Sequence, residues 1–322
     1  MLTTLKHMIV NGMLIDRAQA LKLIDQPLAA LAEGADELRR HFCQDRFDLC
    51  TIVSAKSGRC PEDCAYCAQS AHHPVKDVPV HPLLSQAELV ADARRQAQAG
   101  TFRYSIVTSG HSLSQPEIDS IAQAITAIKK EVGIEVCLSL GLLDQASFEQ
   151  LKQAGASRVH CNLETSKRFF PRICSTHRFE DKIKTLKAAA QAGFSLCSGG
   201  IIGLGETMVD RIDWILSARE LGVESIPINL LNPIAGTPLA GQAILSPQEL
   251  QRTVAIARWL VPKGTIRLAG GRGLLPDKGR QCFQSGANGA ITGDMLTTQG
   301  ISPATDRQLL KELGFKLDRS SD

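Results

Sequence analysis

Short apolar segments alternate with amphipathic helical patterns along the chain, from about residue 48 onward. Each apolar segment is bounded by turn residues, and each helical pattern repeats its apolar positions every three or four residues. This alternation is typical of βαβ units, in which helices connect parallel strands. The predicted strands are residues 49–54, 102–108, 134–140, 158–163, 194–198, 225–231, 265–269 and 290–292.

The number of these units indicates the fold. Eight strand–helix pairs in roughly 270 residues match a (β/α)8 barrel of the TIM type, and a doubly wound sheet is the alternative. Residues 1–45 are predicted to form an N-terminal helical extension, and residues 46–322 the barrel with a C-terminal helix. The predicted helices are residues 18–23, 27–42, 85–99, 117–132, 179–192, 207–221 and 247–261.

The two faces of the predicted strands differ in chemistry. Side chains alternate along a strand, so in a barrel one set packs against helices and the other points inside. Barrel interiors are ordinarily aliphatic, and a buried polar group without a partner costs about 1–3 kcal/mol. We therefore expect the interior to contain a ligand. The polar residues turned inward are Cys50, Ser54, Cys137, Ser139, His160, Asn162, Glu164, Ser195, Cys197, Ser225, Asn229 and Arg267.

Composition and charge exclude several classes of protein. With 43% hydrophobic residues in 322, the chain has enough apolar side chains for a core and is not disordered. The net charge is only +3 and the basic residues are scattered, so a nucleic-acid partner is not expected. No apolar run approaches the roughly 18 residues of a membrane helix, and a signal peptide is not apparent. We therefore expect a soluble, cytoplasmic protein.

Ten cysteines in a reducing compartment favour metal binding or catalysis over disulfides. Three of them, Cys60, Cys64 and Cys67, follow the first predicted strand with C-x3-C-x2-C spacing, where a barrel has its catalytic face. Three thiolates on one loop can hold three irons of a cubane cluster and leave the fourth iron open. Zinc is the alternative, with His72 or His73 completing a tetrahedral ligand set.

This cysteine segment, with Tyr66 directly before its last cysteine, resembles the signature of the radical S-adenosylmethionine (SAM) superfamily. Residues 199–206, GGIIGLGE, are similar to the glycine-rich motif of that superfamily, and their spacing does not fit G-x-G-x-x-G. The resemblance implies a 4Fe-4S cluster on Cys60, Cys64 and Cys67 whose open iron binds SAM. Cleavage of SAM by one electron would then give methionine and a 5′-deoxyadenosyl radical that abstracts hydrogen, while the protein orients the cofactor.

From residue 50 to about residue 313, the chain resembles the biotin synthase family of that superfamily. The family inserts sulfur between two saturated carbons of dethiobiotin, and the resemblance also implies homodimerisation and an electron-donor protein such as flavodoxin or ferredoxin. The matching segments are CPEDC at 60–64, NLETS at 162–166, CSGGIIGLGE at 197–206, PIN at 227–229, GTPL at 236–239, RLAGGR at 267–272 and SGAN at 285–288.

The resemblance also implies roles for single residues. Those implied to contact SAM are Tyr66, Asn162, Glu164, Lys182, Ile201, Gly203 and Glu206, and those implied to bind dethiobiotin are His160, Asn162 and Asn229. Lys182 stands where arginine is common, which keeps the charge but loses the planar fork. His160 stands where asparagine is common, and a purely structural histidine is its alternative. No catalytic side chain is implied beyond the residues that hold the clusters.

In the family, the sulfur is thought to come from a second cluster deep in the barrel, held by three cysteines and an arginine. Cys137, Cys197 and Arg267 occupy three of those positions, but the fourth holds Ser105. Adjacent strands lie about 4.8 Å apart, so we hypothesise that Cys50, on the neighbouring strand, replaces the missing ligand. The auxiliary cluster, 2Fe-2S or a variant, would then be held by Cys50, Cys137, Cys197 and Arg267. A buried cysteine with only a packing role is the alternative for Cys50.

Two other functions remain open from the sequence. One is a maturase-like radical SAM enzyme that acts on another small molecule without sulfur insertion; the inward-facing thiols and Arg267 argue against it. The other is a nonenzymatic protein in which the cysteine segment is a structural metal site, and a polar barrel interior argues against that. The remaining cysteines, Cys43, Cys161, Cys174 and Cys282, are expected to be structural.

Overall fold

The computed structural model describes residues 1–317, and the last five residues of the predicted segment 46–322 lie outside this range. Within it, nine parallel strands form one sheet, and a pairing between the fifth and seventh strands joins its two ends into a closed barrel of eight positions. This confirms the predicted (β/α)8 fold. The strands are β1 (Asp48–Lys56), β2 (Arg103–Thr108), β3 (Glu135–Ser139), β4 (Arg158–His160), β5 (Ser195–Cys197), β6 (Gly200–Ile202), β7 (Ser225–Leu230), β8 (Thr265–Leu268) and β9 (Gly289–Thr292).

Strands β5 and β6 share one barrel position, since both pair with β7. The glycines between and within them permit a close approach of neighbouring backbones. A Cβ atom at Gly199 would lie 1.8 Å from the carbonyl oxygen of Pro227, and one at Gly200 would lie 2.5 Å from that of Glu164. The glycine-rich segment is therefore part of the barrel wall, where a side chain has no room.

Helices surround the barrel on its outside. The sequence predicts seven of these helices to within about two residues, and the two in the N-terminal extension are among them. It misses the helices at Leu2–Val10 and Gln145–Gln153, and it gives no bounds for the C-terminal helix or for the short helix around Cys282. The helices are α1 (Leu2–Val10), α2 (Arg17–Leu21), α3 (Leu28–Cys43), α4 (Gln86–Gln98), α5 (Gln115–Glu131), α6 (Gln145–Gln153), α7 (Phe179–Gln191), α8 (Met208–Glu220), α9 (Pro247–Leu260), α10 (Arg280–Phe283) and α11 (Pro303–Glu312). Among the described residues, no helix combines the length and apolar character needed to cross a membrane.

The N-terminal helices pack on the barrel's outer layer. Helix α3 lies against α9, and the indole Nε1 of Trp259 donates a hydrogen bond of 3.1 Å to the carbonyl of Leu31. Gly34 makes this contact possible, since a Cβ atom there would lie 2.5 Å from the indole. The extension thus shares a hydrophobic core with the barrel.

The predicted division of the strands into two faces is also confirmed. The aliphatic set, which includes Val136, Leu138 and Val159, is buried between strands and helices. Nine of the twelve polar residues predicted to face inward line a cavity of about 410 Å³ that extends to the loops after the strands' carboxyl ends, and Ser54, Ser195 and Ser225 do not line it. Members of that set on the cavity wall are Cys50, Cys137, Ser139, His160, Asn162, Glu164, Cys197, Asn229 and Arg267.

Candidate active site

The three clustered cysteines lie on the loop between β1 and α4, at the mouth of the cavity. Backbone hydrogen bonds close this loop: the N–H of Cys60 donates to Gln69 at 2.9 Å, and the N–H of Ala71 donates to Cys60 at 2.8 Å. Cys60, Cys64 and Cys67 are half-buried and line the cavity. All ten cysteines fall in the described part of the chain as free thiols. The loop therefore presents three free thiols to one cavity, which suits a cubane cluster with protein ligands on three of its four irons.

The zinc alternative that uses His72 or His73 is not supported by the geometry. The Nε2 atom of His72 lies 2.9 Å from the carbonyl oxygen of Pro61, and that of His73 lies 3.0 Å from the carbonyl oxygen of Cys64. Both rings are thus engaged by the loop's own backbone.

A fourth cysteine, for which the sequence suggests only a structural role, lies beside this loop. Cys174 Sγ is 3.9 Å from Cys64 Sγ and 3.2 Å from Nδ1 of His177. Across residues 1–317, these are the only three residues whose metal-ligand atoms lie within 4.8 Å of one another. Hydrogen bonding by Cys64, and then by His177, lowers the pKa of Cys174 to about 4 although burial opposes the shift. The contact joins residues 110 apart in sequence, so no local pattern could indicate it.

Glu164 lies on the wall of the same cavity and has a strained backbone. Its φ is +67°, a left-handed conformation that residues other than glycine rarely adopt. The carboxylate is buried, and its Oε2 finds no hydrogen-bond partner in the described part of the chain. Such an orphaned oxygen is costly unless a ligand supplies a donor.

Two further side chains complete this wall. Burial, and then the charge of Glu164, raises the pKa of Tyr66. Lys182 remains a cation, because Cys161 and Glu164 raise its pKa in spite of burial. A carboxylate and an ammonium group on the wall of one cavity complement the amino and carboxylate groups of an amino acid, which SAM carries.

Gly203 and Glu206 do not line this cavity, whereas Ile201 does. The fully buried Glu206 carboxylate accepts hydrogen bonds from the N–H groups of Gly203 at 3.0 Å and Leu204 at 2.7 Å. It also accepts one from Nε of Arg211 at 2.7 Å. Both residues therefore hold the turn after β6, and the contact with SAM expected of them stays a prediction.

Replacing Glu206 with alanine is expected to lower the free energy of unfolding by about 3 kcal/mol, because it leaves a buried arginine without its buried partner. The Arg211 side chain is only 3% exposed. The control is Glu249→Ala, which removes the same arginine's half-exposed partner. Denaturant unfolding of both variants measures the difference, and a smaller loss for Glu206→Ala than for Glu249→Ala would contradict this role.

Deeper in the barrel, Cys50, Cys137 and Cys197 project from β1, β3 and β5 into the same cavity. All three are buried. Burial raises the pKa of Cys50 to about 12, with Arg267 opposing and Cys137 adding to the shift. Ser105 on β2 pairs directly with Cys137 and also lines the cavity. The thiol of Cys50 and the hydroxyl at the family's cysteine position thus share one pocket.

Arg267 stands beside these thiols but is held by other partners. Its Nη2 lies 2.9 Å from Oδ2 of Asp48, and its Nη1 donates to two backbone carbonyls at 3.0 and 3.1 Å. Although burial opposes it, the Asp48 charge raises the pKa of Arg267. Arg103 and Arg158 approach the same carboxylate at 3.8 and 3.3 Å. The sequence-based prediction does not include this ionic group. Asp48 lies two residues before Cys50 on β1, so strand alternation turns both side chains to the same face.

The three residues implied to bind substrate line the same cavity as both sets of cysteines. Asn162 Oδ1 accepts from the N–H of Gly199 at 2.9 Å, and Asn229 bridges two backbone segments with bonds of 2.9 and 3.1 Å. Nδ1 of His160 lies 3.4 Å from Cys197 Sγ. Burial opposes ionisation of that thiol, but His160 and then Arg267 lower the pKa of Cys197 to about 7.

A parallel barrel with three available cysteines at its mouth and an unpaired acceptor beside them defines a radical SAM enzyme. Consistent with this, residues 55–218 match the family model of the radical SAM superfamily. Residues 227–316 match that of the biotin and thiamin synthesis associated domain.

Sequence similarity to curated relatives extends over nearly the whole chain. Biotin synthase 2 of Corynebacterium diphtheriae is 55% identical over 311 residues, covering 97% of this chain and 94% of that protein. Biotin synthase of Brachyspira hyodysenteriae is 48% identical over 321 residues, covering 100% and 96%. The chain belongs to the biotin synthase family.

Solved structures show the same fold at low sequence identity. Methylornithine synthase has a TM-score of 0.84 at 18% identity, covering 98% of this chain and 97% of that one. HydG, a maturase of the [FeFe]-hydrogenase, has a TM-score of 0.85 at 16% identity, covering 99% and 76%. At these identities the likeness concerns the fold alone.

Proposed function

We propose that this chain converts dethiobiotin into biotin by radical SAM sulfur insertion, with an auxiliary iron–sulfur cluster as the sulfur donor. The observation that carries the proposal is that two separate sets of three thiols line one cavity. One set lies at its mouth and the other in the barrel interior. When bound, the 4Fe-4S cluster supplies the electron that cleaves SAM, and the auxiliary cluster supplies the sulfur.

The chain's own residues bind and orient. Cys60, Cys64 and Cys67 hold the 4Fe-4S cluster. The Sγ atom of Cys174 is hydrogen-bonded to that of Cys64 at 3.9 Å. The unpaired carboxylate of Glu164 accepts from the amino group of SAM. Further SAM contacts come from Tyr66, Asn162, Lys182 and Ile201, with Gly203 and Glu206 as positioning residues. The barrel wall around the cavity limits the access of water and competing hydrogen donors to the reacting groups.

Glu164→Gln is expected to weaken SAM binding about 10- to 100-fold, because one hydrogen bond between charged groups contributes about 1.5–3 kcal/mol. The control is Glu180→Gln, which removes an exposed carboxylate paired with Lys167 on the surface. Anaerobic equilibrium binding of SAM to the cluster-loaded enzyme measures the effect. Equal affinities of the two variants would refute the assigned role of Glu164.

Cys50, Cys137 and Cys197 are proposed to hold the auxiliary cluster. Cys50 takes the place of the cysteine that the family has at the position of Ser105. The resemblance to the family implies that Arg267 is the fourth ligand of this cluster. Because Asp48 keeps its guanidinium charged, and a charged guanidinium has no lone pair to offer, we propose it as a neighbouring cation. The substrate lies between the two clusters, against Asn162, Asn229 and His160.

Cys50→Ser is expected to remove most auxiliary iron and sulfide while the 4Fe-4S cluster is retained. Restoring a cysteine at the family's position, in the double variant Cys50→Ser with Ser105→Cys, should recover the auxiliary cluster. Chemical counting of iron and sulfide checks both results, and Cys282→Ser is the control because that cysteine is buried in α10, outside the cavity. Unchanged auxiliary content in Cys50→Ser would remove the ligand exchange.

The activity itself is tested by anaerobic reconstitution, followed by addition of reductant, SAM and dethiobiotin. We expect more iron than one cubane holds, together with 5′-deoxyadenosine and biotin. Deoxyadenosine without biotin from an enzyme that has both clusters would favour the maturase-like alternative. Absence of deoxyadenosine would favour a structural metal site.

The proposal extends to the setting of the enzyme. Ten free thiols support a reducing compartment, the cytoplasm. An electron donor such as flavodoxin or ferredoxin and a homodimeric state follow from the family. We also propose that residues 1–45 form the N-terminal helical extension and residues 46–322 the barrel region.

A further inference from the structure

We infer that His160 is a ligand of the auxiliary cluster and bonds through Nδ1 to the same iron as Cys197. The inference rests on the proposed function, because it requires that cluster.

The first argument is geometric. Nδ1 of His160 lies 3.4 Å from Cys197 Sγ, and the parallel pairing of β4 with β5 places the two residues directly beside each other. Sulfur and nitrogen ligands on one tetrahedral metal, with bonds of about 2.3 and 2.0–2.1 Å, are about 3.6 Å apart. The two atoms therefore already have the separation of two ligands of one iron.

The second argument is the need for a fourth donor. In a 2Fe-2S cluster, two tetrahedral irons with two bridging sulfides require four protein ligands, and the proposed set of Cys50, Cys137 and Cys197 supplies three. Arg267 is engaged by Asp48 and two backbone carbonyls. Imidazole has a lone pair and binds iron in clusters in which histidine replaces cysteine.

The third argument is position. His160 on β4 lies between Cys137 on β3 and Cys197 on β5 in barrel order, and it lines the cavity together with both. A nitrogen ligand replaces a thiolate's negative charge with a neutral donor, which raises the reduction potential of a cluster.

The test is pulsed electron paramagnetic resonance on the reduced auxiliary cluster of the full-length enzyme, prepared with and without 15N-labelled histidine. We expect the strong hyperfine coupling of one directly bonded nitrogen, changed by the isotope. His160→Cys should keep the cluster, lose this coupling and shift the potential to a more negative value. His160→Asn should lose half or more of the auxiliary iron, whereas His41→Asn, an exposed histidine on α3, should lose none.

An auxiliary cluster without a directly bonded nitrogen, or a coupling that persists in His160→Cys, would overturn the inference. The outcome is separable from the proposed function. Biotin formation without the nitrogen coupling overturns the ligand assignment alone, and the coupling without biotin formation overturns the function alone. An enzyme that binds no auxiliary cluster overturns both.

Discussion

Cys67→Ala is expected to abolish formation of both 5′-deoxyadenosine and biotin. Three thiolates on one loop hold three irons, and removal of one leaves a second iron without a protein ligand. Cys64 has the thiol of Cys174 at 3.9 Å, whereas Cys67 makes no thiol–thiol hydrogen bond among residues 1–317. Product analysis after anaerobic reconstitution with SAM, reductant and dethiobiotin measures the loss.

The matched control is Cys282→Ala, which removes a buried thiol outside the cavity and should leave both products. Measurable deoxyadenosine from Cys67→Ala would show that the loop does not hold the cluster that cleaves SAM. The remaining absorbance of the auxiliary cluster shows whether the variant has kept its barrel.

Cys197→Ser is expected to reduce biotin to below detection while 5′-deoxyadenosine is still formed. The loop at the mouth is intact in this variant, so SAM cleavage continues, but the interior no longer holds its sulfur donor. The ratio of the two products in one reaction is the measurement, and the deoxyadenosine is its internal control. Biotin formation at the wild-type ratio would exclude Cys197 from sulfur donation.

Both effects depend on the polar interior of this barrel. Buried thiols, amides and guanidinium groups are unfavourable in a packed core unless they bind something. Asp48 neutralises part of the charge of Arg103, Arg158 and Arg267. The amide nitrogen and the amide oxygen of Asn229 are both hydrogen-bonded to backbone groups. The thiols and Glu164 Oε2 remain for ligands.

The fold could be predicted from the sequence because the strands repeat one simple pattern. Aliphatic residues at every second position of β3 and β7 define the outward face, and alternation then fixes which residues point inside. The missed helices have weaker signals. Helix α6 begins at Gln145, after the capping residue Asp144, but it has only Phe148 and Leu151 as buried residues.

The site could be predicted only where residues lie on regular strands. Alternation places Cys137 and Cys197 in the cavity, but it ends where β4 stops at His160. The same alternation predicts that Cys161, directly after His160, faces outward, but the structure places it both in the core and on the cavity wall. The turn that holds Glu206 has no periodicity, so its inward, backbone-bonded carboxylate required the structure.

The central claim is that the sulfur of the product comes from the barrel interior, beneath the SAM site. It is tested most directly by rebuilding the auxiliary cluster with sulfide that carries a heavy sulfur isotope and analysing the biotin of a single turnover by mass spectrometry. The account predicts biotin that carries the heavy isotope. Biotin with sulfur of natural isotopic abundance, from enzyme whose auxiliary cluster is fully labelled, would contradict it.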